Sequence, residues 1–174
     1  MQKLDQKKKN EVKIFNHDVI YKIAEEYEEW YKKEKSNLQS EDLKNIARPC
    51  KIYLMPGYIF RQSHPAVVGV EVLGGILKPR MRLMKDGKEI TEVKGIQEQG
   101  KNIGEAAKGK EIAVSLLNVI VGRQINSGDI LYSSINEEEF RKLKKLKNYL
   151  SNGEIQIMKE IAELKRKENP VWGI

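Results

Sequence analysis

The spacing of apolar positions changes twice along the 174 residues, dividing the chain into a helical start, an all-β middle and a helical end. Between residues 16 and 35, "NHDVIYKIAEEYEEWYKKEK" sets Ile20, Ile23, Tyr27 and Trp30 at helical intervals, with Asn16 or Asp18 placed to cap the first turn. Glu28 with Lys32 and Glu29 with Lys33 stand four apart in the favourable order, so the outer face of a long helix can hold itself in water. "SNLQSEDLKNIARP" follows, and Pro49 ends any helix at or before Arg48. From Cys50 to about Ile135 come the short β-branched runs "KIYLM", "AVVGVEVL", "RMRLMK", "EVKGIQ", "EIAVSLL" and "DILYSSI". Gly, Pro, Asp and Asn separate them, which predicts a sandwich or barrel. Asp86-Gly87 predicts a two-residue hairpin turn, and Gly74-Gly75 and Ser127-Gly128-Asp129 predict further turns.

After Ile135 the helical period returns. Asn136 with Glu139 is a capping-box pattern, and Phe140, Leu143, Leu146 and Leu150 form one stripe that "SNG" stops. A second helix from Glu154 carries Ile157, Ile161 and Leu164 on one row and Ile155, Met158 and Ala162 beside it, until Asn169-Pro170 closes it. The two helices are expected to pack as an αα-hairpin ahead of a "PVWGI" tail. The organisation this predicts is a basic start whose order is left open (1–15), a long connecting helix and linker (16–47), a β-barrel (48–136), and the hairpin with its tail (137–174).

Charge changes the picture only modestly. Lys and Arg number 32 against 25 Asp and Glu, a net charge of +7, which suits a phosphate-rich partner and equally a solvated lysine surface. The start "MQKLDQKKKNEV" has no signal-peptide pattern, and no apolar run is long enough to cross a bilayer. Cys50 is the single cysteine, which excludes an internal disulfide and suits a reducing compartment, so a soluble cytoplasmic chain is expected. No catalytic constellation stands out in the sequence. "GEAAKGKE", residues 104–111, nearly spells a phosphate-binding loop, but Glu111 replaces the hydroxyl residue and a strand-like run follows where a helix is required. His17 and His64 with one cysteine build no zinc site, and neighbouring Ser63 and His64 have no orienting carboxylate.

"GVEVLGGILKPRMRLM", "AAKGKEIAVSL" and "INSGDILY", in that order, resemble the small β-barrel that follows the nucleotide domain in translational GTPases such as elongation factor Tu. "DVIYKIAEEYEEW", "IFRQSHPAVVGVEVLGG" and "IAELKRKENPVWG" extend the resemblance over essentially the whole chain, to the C-terminal portion of the archaeal translation initiation factor 5B family, homologous to bacterial initiation factor two. The resemblance implies a mainly β fold with flanking helices: an elongation factor Tu domain II-like barrel, domain IV of the parent, preceded by a long helix and followed by the hairpin. It implies a ribosome-dependent GTPase parent, with GTP and magnesium in a nucleotide domain absent from this chain, so neither cofactor nor enzymatic activity is expected here. The implied partners are the methionylated acceptor end of initiator tRNA, the C-terminal tail of initiation factor 1A and the joining ribosomal subunits, with no membrane. The alternative is a ribosome-associated, rRNA-binding scaffold barrel without an aminoacyl pocket.

An acceptor end offers stackable bases, phosphates and an ester, so its receiver needs an apolar wall, cations and exposed backbone donors. Phe60, Arg61, Gln62, Ser63 and Pro65 supply those types at one tip, and Gly69 and Gly74-Gly75 are expected to permit close backbone approach. Gln97, Gln99 and Lys101 in "QEQGKN", with Gly109 and Lys110 in "GKE", form the second candidate wall. Arg61 has an equal claim as a solvated loop arginine, and Phe60 reads more readily as barrel core than as a stacking surface. For the partner peptide the candidates are Phe140, Leu143, Lys144, Ile157, Ile161, Leu164 and Trp172. Arg141, Lys142, Lys145 and Lys147 would add attraction for an acidic sequence, although packing of the hairpin on itself and on the barrel is the default fate of such stripes.

Overall fold

A computed structural model of the chain describes residues 21–31 and 46–174. The expected caps Asn16 and Asp18, His17, the start at 1–15 and most of the linker lie outside the described residues. The chain divides into two compact units, Met1–Asp42 and Leu43–Ile174. In the first, residues 21–31 are helical (α1), and the Tyr27 ring lies 5.9 Å from Trp30 and 6.2 Å from Tyr31. These residues fall within the helix expected over 16–35, whose two ends lie outside the described residues.

Among the described residues the second unit holds eight strands: β1 Cys50–Arg61, β2 Ala66–Leu77, β3 Arg82–Lys85, β4 Lys88–Glu98, β5 Lys101–Ile103, β6 Ala106–Ala107, β7 Glu111–Leu116 and β8 Ile130–Ser133. Six of them run β1-β8-β3-β4-β7-β2, and β2 pairs back onto β1, closing an antiparallel barrel. Closure leaves no long open edge, and short β5 and β6 add onto β4 and β2. Alternation fills the interior: Ile112, Val114 and Leu116 of β7 face Val68, Val70, Ile52, Leu54 and Leu131 in one cluster. The barrel implied by the resemblance is the architecture observed.

Asp86 and Gly87 have φ of 51° and 85°, the left-handed pair a two-residue hairpin needs, so that turn stands where expected. Gly74-Gly75 does not make a turn. β2 continues through it to Leu77 and pairs Ile76 and Leu77 with β6. The two glycines instead let other parts of the chain come close: a Cβ on Gly75 (φ +73°) would sit 1.9 Å from the Pro49 carbonyl oxygen, and one on Gly74 would sit 2.8 Å from Ile157 Cδ1. β1 likewise outlasts the run "KIYLM", passing a register break between Leu54 and Ile59 at Pro56-Gly57 and ending at Arg61.

After the barrel, α2 spans Glu137–Lys145 and has the expected reciprocal caps, Asn136 N–H to Glu139 at 2.9 Å and Glu139 N–H to Asn136 Oδ1 at 2.8 Å. A 3-10 turn, Lys147–Tyr149, follows, and α3 spans Asn152–Arg166. "SNG" therefore starts α3 rather than merely ending α2: Ser151 is its N-cap and Glu154 completes a second capping box. Leu143 and Ile161 are fully buried with Met84 and Ile135 between hairpin and barrel. Two polar ties add to this contact. Arg48 donates to both carboxylate oxygens of Glu154 at 2.7 and 2.8 Å. Lys51 and the Tyr132 hydroxyl both donate to Glu160 Oε2, at 2.7 and 2.8 Å.

The second tie predicts a pH dependence. Burial alone would raise the Glu160 carboxyl, but hydrogen bonds from Lys51 and Tyr132 outweigh it and hold the group below its ordinary value. Burial would lower the Lys51 ammonium, but the same hydrogen bonds hold it above the ordinary lysine value. The Glu160 contribution is complete above the unfolded carboxylate value and lost as pH falls through the lowered folded one; that of Lys51 is complete below the unfolded lysine value and lost as pH rises through the raised folded one. Stability from this pair is thus flat across neutral pH. Glu160→Gln should cost about 1 kcal/mol at neutral pH by urea denaturation and nothing once acid has protonated the wild-type group. An equal cost at both pH values would contradict the assignment.

Cys50, at the start of β1, is wholly buried, and burial pushes its thiol up to about 12. As the chain's single cysteine it should resist Ellman's reagent in native buffer and react only at the rate of opening. Immediate labelling would show that β1 is not seated as described.

Candidate functional site

The tip between β1 and β2 forms because β1 runs past the barrel wall. Residues 56–62 are all exposed, and Tyr58, Ile59 and Phe60 are 53%, 40% and 64% accessible. Phe60 is therefore a surface side chain, contrary to the expectation of barrel core, because the strand carries it beyond the layer that Ile52 and Leu54 fill. Gly69 does permit a close approach, but to the chain itself: a Cβ there would lie 2.5 Å from Tyr58 Cβ, so the glycine seats the tyrosine. Arg61 Nε donates to the Pro65 carbonyl at 2.9 Å, which fixes the guanidinium across the tip. Val121 N–H donates to the Gln62 carbonyl at 3.0 Å, so the loop carrying exposed Arg123 and Gln124 docks against the same tip.

Arg61 and Pro65 line one groove of about 390 Å³ with Pro79, Lys94, Ile96, Asn102, Ile103 and Ser115. Of the residues named from sequence for an acceptor end, Arg61 and Pro65 line this groove, and none of Gln97, Gln99, Lys101, Gly109 and Lys110 does. Asn102 lines the groove and is held by Gln97, whose side-chain amide donates to Asn102 Oδ1 at 2.8 Å. Gln99 sits at the β4–β5 turn with φ +50°, and Lys101 is exposed at the start of β5. Gly109, φ +84°, and Lys110 belong to the turn before β7, where Lys110 pairs with Glu98 at 2.8 Å. Phe60, Gln62 and Ser63 lie on the tip outside the groove lining. Lys94 is the cation that sequence reasoning missed; its signal is alternation beside buried Val93 on β4, which turns Lys94 outward. Residues 104–111 run through β6 and a turn into β7, so no helix N-terminus stands where a phosphate loop would need one.

The second surface lies on the hairpin, and here the predicted row turns inward. Leu143, Ile157 and Ile161 are buried among the hairpin and barrel, and Leu164 is half-buried against the same cluster. Trp172 is buried as well, its ring centroid 4.7 Å from that of Phe140. The neighbouring row makes the groove instead. Phe140, Ile155, Met158 and Ala162 floor a depression of about 370 Å³ walled by four cations, Lys144, Lys147, Lys159 and Arg166, and by one acid, Glu163. Among the described residues no helix is long and apolar enough to cross a membrane, and no group of His, Cys, Asp and Glu could hold a metal ion.

Comparison with known proteins agrees with this architecture. The family description for elongation factor Tu domain 4 matches residues 48–132, the barrel. A probable translation initiation factor IF-2 from Ignicoccus hospitalis is 44% identical over 169 residues, which is 95% of this chain and 28% of that protein. One from Hyperthermus butylicus is 44% identical over 173 residues, 98% of this chain and 28% of the relative. The chain thus spans a little over a quarter of the length of these curated relatives. The crystal structure of GDP-bound aIF5B from Aeropyrum pernix superposes with a TM-score of 0.74 at 38% identity, over 95% of this chain and 28% of that one. With the barrel, the terminal hairpin and the sequence all in agreement over nearly its full length, the chain belongs to the archaeal translation initiation factor 5B family, whose curated members carry the name IF-2.

Proposed function

We propose that the chain works in cytoplasmic translation initiation as the C-terminal portion, with domain IV, of a factor of this family. Its barrel receives the methionylated acceptor end of initiator tRNA while its hairpin holds the acidic C-terminal tail of initiation factor 1A during joining of the ribosomal subunits. The observation that carries the first part is the convergence of the tip and the β4–β5 hairpin on one groove. In this reading Arg61 and Lys94 take phosphate oxygens, exposed Tyr58 and Phe60 stack on bases, and Ile96, Ile103 and the two prolines meet an apolar side chain. The chain performs no bond-making step in this reading. It binds and orients the end and keeps water from the ester, while GTP and magnesium belong to the nucleotide domain of a longer factor.

The barrel should therefore slow spontaneous hydrolysis of methionyl-tRNA. Arg61→Ala should weaken that protection by about 1 kcal/mol or more, as a lost charge-assisted hydrogen bond does. Equal protection by wild type and variant would remove Arg61 from the site. Binding of bare and methionylated acceptor-stem RNA with identical affinity and salt dependence would favour the rRNA-binding scaffold instead.

For the hairpin, the carrying observation is the cation-walled apolar groove. A labelled initiation factor 1A tail should bind the full chain. Ile155→Asp on the half-buried groove floor should weaken binding more than ten-fold, since a charge there faces apolar anchors. Neutralising Lys147 and Lys159 together should mainly slow association and flatten its salt dependence. Unchanged affinity in the Ile155→Asp chain would place the tail elsewhere.

A further inference from the structure

The C-terminal residues 169–174 fold back as a strap over α2 and the end of α3, and they are held by the same groups that line the groove. Phe140 packs on Trp172. Lys144 Nζ donates to the Gly173 carbonyl at 3.1 Å, and Arg166 Nε donates to the Trp172 carbonyl at 3.0 Å. Phe140, Lys144 and Arg166 are three of the groove's lining residues. We propose that the strap and an acidic peptide compete for the hairpin, so that peptide binding releases the strap and strap docking restrains the peptide. The inference rests on the groove reading above and concerns its regulation; it also recasts Trp172, named from sequence as a partner contact, as part of the competitor.

Three features argue for exchange rather than for a strap that remains in place. Both cations now face neutral carbonyls, and a carboxylate is the stronger acceptor for each. Arg166 uses Nε, a donor of the guanidinium's side edge, so a carboxylate gripped by that edge displaces the Trp172 carbonyl. Outside buried Trp172 and an Asn169 N–H bond to the Lys165 carbonyl at 3.0 Å, the strap is lightly held. A further tie to α2 is a long 3.4 Å bond from Gly173 N–H to Glu137, and the flanking Val171 and Ile174 are 65% and 73% exposed. If peptide loosens the strap, linkage requires the strap to weaken the peptide by the same factor.

Trp172 reports the exchange directly once the other tryptophan is removed by Trp30→Phe. The probe is a synthetic peptide alternating Asp with Leu or Ile, with a free carboxyl terminus. The unlabelled peptide should red-shift Trp172 emission and raise its quenching by acrylamide. Both changes should saturate where the anisotropy of a fluorescein-labelled copy saturates. Deleting residues 169–174 should tighten peptide binding by about five-fold or more. Gly173→Ala keeps the strap's length but sets a Cβ 2.7 Å from the Phe140 ring, and should tighten binding in the same direction by less. Peptide binding with unchanged Trp172 emission, or weaker binding by both variants, would overturn the competition while leaving the groove reading intact. Absence of binding to both the full and the shortened chain would overturn both.

Discussion

Gly75→Ala should be the most damaging single methyl addition in the barrel, costing about 3 kcal/mol or more or preventing folding outright. Two separate penalties act at this residue. Its φ of +73° is left-handed, which costs an L residue roughly 1–2 kcal/mol. The added Cβ would also lie 1.9 Å from the Pro49 carbonyl oxygen and 3.0 Å from Cys50 Cα, where the chain enters β1 opposite Gly75. Backbone on both sides has nowhere to go, since Cys50 and Pro49 are buried and Cys50 N–H donates to Ser133. Gly100 is the control: its φ is +80°, yet no described group lies within 4 Å of the position its added methyl would take. Gly100→Ala should cost only the conformational part, about 1 kcal/mol, and the difference between the two in urea denaturation isolates the clash. Similar losses at the two sites would mean that Pro49 can yield and that the seam between β1 and β2 is softer than the structure shows.

What the sequence discloses and what it hides follows the range of each interaction. The Asp86-Gly87 turn, the Asn136–Glu139 capping box and the alternation of β7 are local, and each is readable from neighbours in the chain. The Ser151–Glu154 capping box is equally local, but the glycine between its members reads as a stop and masks it. Gly74-Gly75 reads as a turn because the reason for it, the approach of Pro49 and Ile157, comes from elsewhere in the chain. The hairpin shows the same limit. Both rows of α3 are apolar, and only packing on the barrel, at Gly74 for Ile157, decides that Ile157 and Ile161 turn inward while Ile155 and Met158 floor the groove. For the barrel site, local chemistry identifies Arg61 and Pro65. Their meeting with Lys94, Asn102 and Ser115 depends on closure of the sheet, which brings β1, β4, β5 and β7 to one place. Motifs spread along the whole chain are enough to point to the family even where single residues, Phe60 and Ile161 among them, face the other way from what their neighbours suggest.

Arg48→Met should destabilise the unit by about 3 kcal/mol, more than its partner's replacement does, because the two ends of this ion pair are unequally buried. The Glu154 side chain is 3% exposed and that of Arg48 is 28% exposed. Removing the arginine strands a carboxylate that has left water, a loss of roughly 3–5 kcal/mol for a fully buried pair and somewhat less where water reaches one partner. Glu154→Gln removes the charge but can keep the capping bonds that Ser151 N–H and Oγ now donate to Oε2, each at 2.9 Å, so about 1–2 kcal/mol is expected. The double variant should then cost less than the sum of the singles by at least about 1 kcal/mol, the coupling expected of groups in direct contact. The pair ties the segment entering β1 to the first turn of α3, and Ile46 and Ala47 pack on the same cluster. Loosening it should therefore free the hairpin before the barrel. Cys50 gives the readout: in Arg48→Met its labelling should accelerate under native conditions, while the chain still unfolds in one barrel transition at higher urea. Additive singles, or unchanged Cys50 protection in a destabilised Arg48→Met chain, would show that Arg48 and Glu154 do not dock the hairpin as a pair.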